Sequence, residues 1–190
     1  MTTDVPRSRR LDPGRRDRII DSCIAVIAAH GVDGTSLRRV AEAADVPLGS
    51  MTYHFSGRDE LLHEAFARFA TVVSDRWTSR LSVLPADEPR QAVDTVIALI
   101  TEDVFATDDE LVLTHELYTL AARDPRYRTI TNAWMRRSRA ALERSFDPRT
   151  ARILDALIEG MTIHRALDTE APDSTDVEVA VRRVTGTELS

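Results

Sequence analysis

Residues 35–58 read TSLRRVAEAADVPLGSMTYHFSGR. Leu37, Val40, Ala41 and Ala44 fall at i, i+3, i+4 and i+7, which puts these apolar side chains on one face of a two-turn helix. Asp45-Val46-Pro47 comes next. The proline has no N–H to donate and biases Val46 away from the α region, so the chain turns before it resumes at Leu48. In the short helix that follows, Met51, His54 and Phe55 can face inward, while Ser50, Thr52 and Tyr53 point elsewhere and offer hydroxyls and a ring to a partner. Two short helices joined by a tight turn make a helix-turn-helix, whose second helix can lie in the major groove of DNA. Ala41 is small where the helices cross, Asp45 makes the turn, and Met51 packs back over the first helix. A hairpin of two helices in an ordinary bundle gives the same local pattern, so the flanks decide.

Outward from this stretch, an amphipathic helix ends in His30-Gly31 and is followed by Val32-Asp33-Gly34-Thr35-Ser36. Val40-Ala41-Glu42-Ala43-Ala44, Val46-Pro47-Leu48-Gly49-Ser50-Met51-Thr52-Tyr53-His54-Phe55 and Arg58-Asp59-Glu60-Leu61-Leu62 complete the series. In order and spacing, residues 15–62 resemble the DNA-binding domain of the TetR family of bacterial repressors. The likeness is detailed over about the first third of the chain; beyond it, only length and helical character agree. Asp45 stands where the family usually has a turn glycine, and Asp tolerates a left-handed backbone better than most residues. Thr52 stands where the family usually has tyrosine, with Tyr53 one place later. Which of the two makes the customary tyrosine contact is therefore open.

The resemblance implies an all-α protein with an N-terminal DNA-binding domain over 1–57 and a helical effector-binding and dimerisation domain over 58–190. Pro47, Leu48, Gly49, Ser50, Thr52 and Tyr53 are the expected DNA-facing residues of the inserted helix. By analogy with the family, Ser36, Arg38, Tyr53, His54 and Arg58 are candidate phosphate contacts; His54 can equally be buried packing.

Composition is that of a water-soluble globular chain, with 43% hydrophobic and 29% charged residues. A single cysteine, Cys23, excludes an intramolecular disulfide framework and suits the cytoplasm. It lies in the stripe Ile20, Cys23, Ile24, Ile27 and reads as a small core residue. The first ten residues have no apolar core after their charges, and no run has the length of a membrane span. Every basic residue is arginine, and the distribution is uneven. Residues 1–40 carry eight arginines against five acids, whereas residues 61–190 carry sixteen against twenty-two. A chain of net charge −6 can still bind DNA through its basic end. Arg7-Ser8-Arg9-Arg10 is either an arm on the DNA backbone or minor groove, or a solvated tail.

Asp12-Pro13 marks a helix start and Gly31 its end. Ser56-x-x-Asp59 is a capping-box-like start for a fourth helix, whose stripe Leu62, Phe66, Phe69, Val73, Trp77, Leu81, Leu84 runs until Pro85. Thr107-x-x-Glu110, Asp124-Pro125, Asp147-Pro148 and Thr175-x-x-Glu178 punctuate the rest, giving helices near 88–105, 108–122, 125–146, 148–168 and 175–185, about nine in all.

Enzyme signatures are missing: there is no GxGxxG, P-loop, GxSxG, HExxH or CxxC, and the histidines have no readable partners. No catalytic role, cofactor or metal is assigned. The acids at 102, 103 and 108–110 and the arginines at 136, 137, 139 and 144 read first as solvated faces. Trp77, Phe105, His115, Tyr118, Trp134 and Met135 are candidates for an effector pocket, which uses apolar and aromatic walls with few polar groups. Leu154, Leu157, Ile158 and Met161 spread over more than one face of the eighth helix, and Val177, Val181 and Val184 stripe the ninth, so a homodimer is expected there. Family resemblance implies an intermolecular four-helix bundle in which Gly160 permits close approach. The expected partners are an operator duplex, a small-molecule effector and a second copy of the chain, with no membrane. A helical protein-interaction module without specific DNA binding is the alternative.

Overall fold

The computed structural model describes residues 13–82, 89–102, 108–170 and 173–187, and the described residues form nine helices and no strand. These are α1 (Arg15–His30), α2 (Leu37–Ala43), α3 (Leu48–His54), α4 (Arg58–Ser82), α5 (Pro89–Glu102), α6 (Asp108–Arg123), α7 (Pro125–Leu142), α8 (Pro148–Leu167) and α9 (Ser174–Thr185). None is long and apolar enough to cross a membrane. The chain divides into two compact units, Met1–Arg68 and Phe69–Ser190. The expected boundary at residue 57 coincides with the start of α4. The first unit continues to Arg68 because Leu61, Leu62, Ala65 and Phe66 of α4 are buried.

In the first unit, α1 contributes Ile19, Ile20, Cys23, Val26 and Ile27 to the core. Burial pushes the Cys23 thiol up to about 12, as suits a packing residue with no nucleophilic role. The helix ends at Gly31, which has φ +68 and donates to Ile27 O. Gly34 is needed for a different reason: a Cβ there would sit 2.3 Å from the backbone oxygen of His30. Ser36 caps α2 by accepting from Arg39 N at 3.2 Å. At the end of α2, Asp45 takes φ +51. Val46 N donates to Ala41 O and Asp45 N to Glu42 O, the paired bonds of a Schellman turn with Asp in the left-handed position that glycine normally fills.

The entry to α4 differs in detail from the expected box. Ser56 N and Oγ both donate to Glu60 Oε2 at 2.6 Å, so the carboxylate engaged at this entry is that of Glu60 and not Asp59. Arg68 of α4 pairs with Asp17 and Asp21 of α1, and Arg16 pairs with Glu64, which fastens these two helices on their exposed side.

In the second unit, Leu81 of α4, Val93, Val96, Leu99 and Ile100 of α5, Leu142 of α7, Ala151, Leu154 and Ile158 of α8 and Val177 and Val181 of α9 form one buried cluster. Asp124 and Asp147 cap α7 and α8 ahead of their N1 prolines, as the sequence leads one to expect. α7 stops at Leu142, short of residue 146, and a turn brings Phe146 back onto the core. For α9 the cap is Asp173, not Thr175; Glu178 instead pairs with Arg182.

Candidate nucleic-acid interface and ligand cavity

α3 has two unlike faces. Met51 is fully buried and Phe55, just past the helix end, nearly so, with the Arg16 guanidinium 5.1 Å from the Phe55 ring. Outward stand Leu48, 51% exposed, and Tyr53, 84% exposed, with Pro47, Gly49 and Thr52 also exposed and Ser50 half-buried. Leaving large apolar and aromatic groups in water is unfavourable unless something covers them in use. Thr52 is exposed and its hydroxyl donates back to Gly49 O at 3.1 Å, so the oxygen keeps lone pairs to accept with. A Cβ at Gly49 would meet nothing within 4 Å, so no neighbour in the chain demands glycine there.

The expected phosphate contacts fall into three groups. Arg38 is exposed and only loosely paired, 3.8 Å from Glu42, and Ser36 keeps its hydroxyl at the surface while capping α2. His54 is half-buried, its ring edge-on to Tyr53 at 5.0 Å and tilted against Phe55. Arg58 is turned inward. Its Nε donates to Thr35 O at 2.6 Å and its Nη2 to Val32 O, so two donors expected on phosphate instead hold the loop before α2.

The second unit contains a cavity of about 50 Å³ among α4, α6, α7 and α8. Of the residues expected to line a pocket, Trp77, Tyr118, Trp134 and Met135 do so, with Val73 of α4. Trp134 also meets Phe69 edge-on at 6.0 Å. His115 stands back from the lining, its Nδ1 2.8 Å from Leu111 O. Phe105 lies outside the described residues.

The aromatic and apolar bias of the sequence reading missed the cavity's polar groups: Thr114, Ser138, Asp155, Glu159 and Thr162. Burial raises the Glu159 carboxyl above its usual range, against a hydrogen bond from the Tyr118 hydroxyl that favours the ionised form. Tyr118 is itself raised, first by burial and then by the Glu159 charge. Asp155 accepts from Arg139 Nε at 2.8 Å. Thr114 is 4% exposed and its Oγ1 has no hydrogen-bond partner. Asp155 and Glu159, one turn apart within the apolar α8, were the available sequence signal, because like charges at that spacing repel unless something answers them.

The expected dimer residues separate by burial. Leu154, Ile158, Val177 and Val181 are at most 7% exposed in the core of one chain, so they are not an available surface. A helix apolar on several sides is satisfied here largely by its own chain. Leu157, Met161 and Val184 are only partly buried and Gly160 is half-exposed, while Ile153 and Leu167 are 45% and 61% exposed.

A family model described as bacterial regulatory proteins, tetR family, matches residues 19–65, and one described as tetracyclin repressor-like, C-terminal domain, matches residues 87–187. The crystal structure of a candidate transcriptional regulator from Streptomyces coelicolor A3(2) is 48% identical, with TM-score 0.84 over 91% of this chain and 99% of that one. The multidrug binding protein EbrR complexed with ethidium is 31% identical, with TM-score 0.75 over 90% of this chain and 98% of that one. EbrR is also known in complexes with proflavin and malachite green. The HTH-type transcriptional regulator BetI of Burkholderia cenocepacia is 28% identical over 80% of this chain and 82% of its own length.

Proposed function

This chain belongs to the TetR family of bacterial transcriptional regulators, and we propose that it acts as a repressor: a homodimer on a palindromic operator, released by a small-molecule effector. The observation that carries the DNA-binding part is the two-faced α3, with Met51 fully buried and Leu48, Thr52 and Tyr53 outward. Leu48 and the Thr52 methyl suit apolar contact with a thymine methyl, and Thr52 and Ser50 supply hydroxyls for base edges. Arg38, Ser36 and Tyr53 serve phosphates, which set register without reading sequence. The open space over Gly49 supports close approach of a partner to the α3 backbone. Two such helices in a symmetric dimer enter major grooves about 34 Å apart, or a multiple of that.

The effector part rests on the cavity. At about 50 Å³ it is well below the roughly 300–1,000 Å³ of an occupied small-molecule site, so a ligand must spread its walls. Val73 and Trp77 make α4 one of those walls, and the first residue of α4, Arg58, holds the loop before α2. EbrR, with its ethidium, proflavin and malachite green complexes, supports an aromatic effector for this chain.

Selection of bound duplexes from a random pool, followed by a salt series on the winner, tests the reading. A palindromic consensus, and affinity falling linearly in log salt, is expected. Negligible binding to any duplex would turn the reading to a protein-interaction module.

A further inference from the structure

We infer that the cavity of the second unit selects planar aromatic cations, with the Glu159 carboxylate recognising the charge and Thr114 Oγ1 taking a hydrogen bond. The inference rests on the effector reading above and adds the chemical class of the ligand.

The walls favour a flat cation. Trp77, Trp134 and Tyr118 line the space, aromatic ring faces attract positive charge through their quadrupoles, and an apolar cavity strengthens that attraction by excluding water. Two acids line the same space, but only one has charge to spare. Asp155 is committed to Arg139 at 2.8 Å, with 12% of its side chain exposed. Glu159 receives the Tyr118 hydroxyl, and among the described residues no ion pair joins it to any cation. A mostly buried carboxylate with no cation at ion-pair distance is costly, and a bound cation reduces that cost.

Thr114 is the second, independent sign. Elsewhere in this chain helical threonines donate back to the carbonyl one turn earlier: Thr78 to Ser74, Thr101 to Ile97, Thr162 to Ile158 and Thr185 to Val181. Thr114 lines the cavity, is 4% exposed, and makes no such bond. A buried hydroxyl left unpaired costs about 1–3 kcal/mol, which a ligand's ring N–H or amino group recovers.

Acidification has a definite sign. Cation binding favours the ionised carboxylate, so protonating Glu159 weakens it, and because burial raises this group the loss sets in above the ordinary carboxylate range. The other groups bearing on Glu159 are Tyr118 and His115 from α6, Arg139 from α7 and Asp155 from α8. Because these groups bear on the same carboxylate, a variant is needed to isolate the part played by Glu159.

The experiment is a fluorescence titration of the full chain, without DNA, using N-methylacridinium, uncharged acridine and acridine-9-carboxylate at about pH 7.5. The cation is expected to bind at least about tenfold more tightly than the neutral ring, with the anion weakest. Glu159→Gln keeps the volume and the Tyr118 partner; it is expected to bring the cation to the neutral ring's affinity and to leave that affinity unchanged. The loss of N-methylacridinium affinity between pH 7.5 and pH 5.5 is expected to shrink by about half or more in the variant. Equal wild-type affinity for cation and neutral ring overturns the charge assignment whether or not the variant folds, and leaves the effector reading standing. Undiminished pH dependence in Glu159→Gln assigns the effect to a group other than Glu159 and also overturns it. Failure of all three rings to bind, with operator binding intact, overturns the aromatic class without touching DNA recognition.

Discussion

Arg58 shows what a single residue's neighbours do to its role. Analogy with the family makes it a candidate phosphate contact, yet its guanidinium serves the carbonyls of Thr35 and Val32, 23 and 26 residues earlier in the chain. No local pattern reveals partners at that separation. Arg58→Ala is therefore expected to lower stability by about 1–3 kcal/mol, the cost of leaving part-buried acceptors unpaired, with little change in the salt slope of DNA binding. Urea melts and the salt series measure the two quantities separately; a slope lower by about one with unchanged stability would return Arg58 to phosphate. Asp45 is the opposite case, because a turn followed by Pro47 constrains the backbone locally. Its φ of +51 agrees with the expectation drawn from the turn glycine usual in the family and from the tolerance of Asp for a left-handed backbone. Gly49 supports a prediction in which stability and function diverge. Alanine suits an unobstructed helical position better by about 0.5–1 kcal/mol, so Gly49→Ala is expected to raise the urea midpoint while weakening operator binding. Unchanged DNA affinity would show that the space over Gly49 is idle.

At the level of elements, the helices were readable to within a few residues wherever a cap fixed them, as Asp124 and Asp147 do. What the stripes did not reveal was the identity of the covering surface. Leu154 and Ile158 look the same in sequence whether they meet α5 and α9 of their own chain or a second copy, and in the fold they are internal. The proposed dimer therefore uses the remaining face of α8 and α9, led by Ile153, Leu157, Met161 and Val184. Ile153 is 45% exposed, so Ile153→Glu is expected to give monomers at micromolar concentration by sedimentation with the helical signal intact. Leu154→Ala removes a fully buried side chain, and is expected to cost about 2–5 kcal/mol of fold stability whatever the assembly. A dimer that survives Ile153→Glu would move the interface off this face of α8.

For the whole molecule, the proposed function requires that a ligand in one compact unit alter DNA binding by the other. α4 belongs to both: Arg58, which holds the loop before α2, is at one end, and Val73 and Trp77, which wall the cavity, lie toward the other. The stripe of α4 was legible in the sequence, and so were Trp77, Tyr118 and Trp134; Glu159 was not, since an acid reads as solvated until the fold surrounds it. In the proposed mechanism, a cavity too small for its ligand makes binding and wall displacement one event, and a displaced α4 would shift the preferred state of the helix-turn-helix in each copy of the proposed dimer. Linkage then requires reciprocity. If N-methylacridinium weakens operator binding by some factor, the operator must weaken N-methylacridinium binding by the same factor, and couplings of about 5–150-fold, or 1–3 kcal/mol, are usual. Titrating the dye against free and operator-bound protein measures one side, and titrating operator against free and dye-bound protein measures the other. Equal dye affinity for both forms would refute the mechanism. Val73→Ala is expected to enlarge the cavity and reduce the coupling more than it changes dye affinity, since less displacement of α4 is then needed. Coupling unaltered by Val73→Ala would assign transmission to an element other than α4.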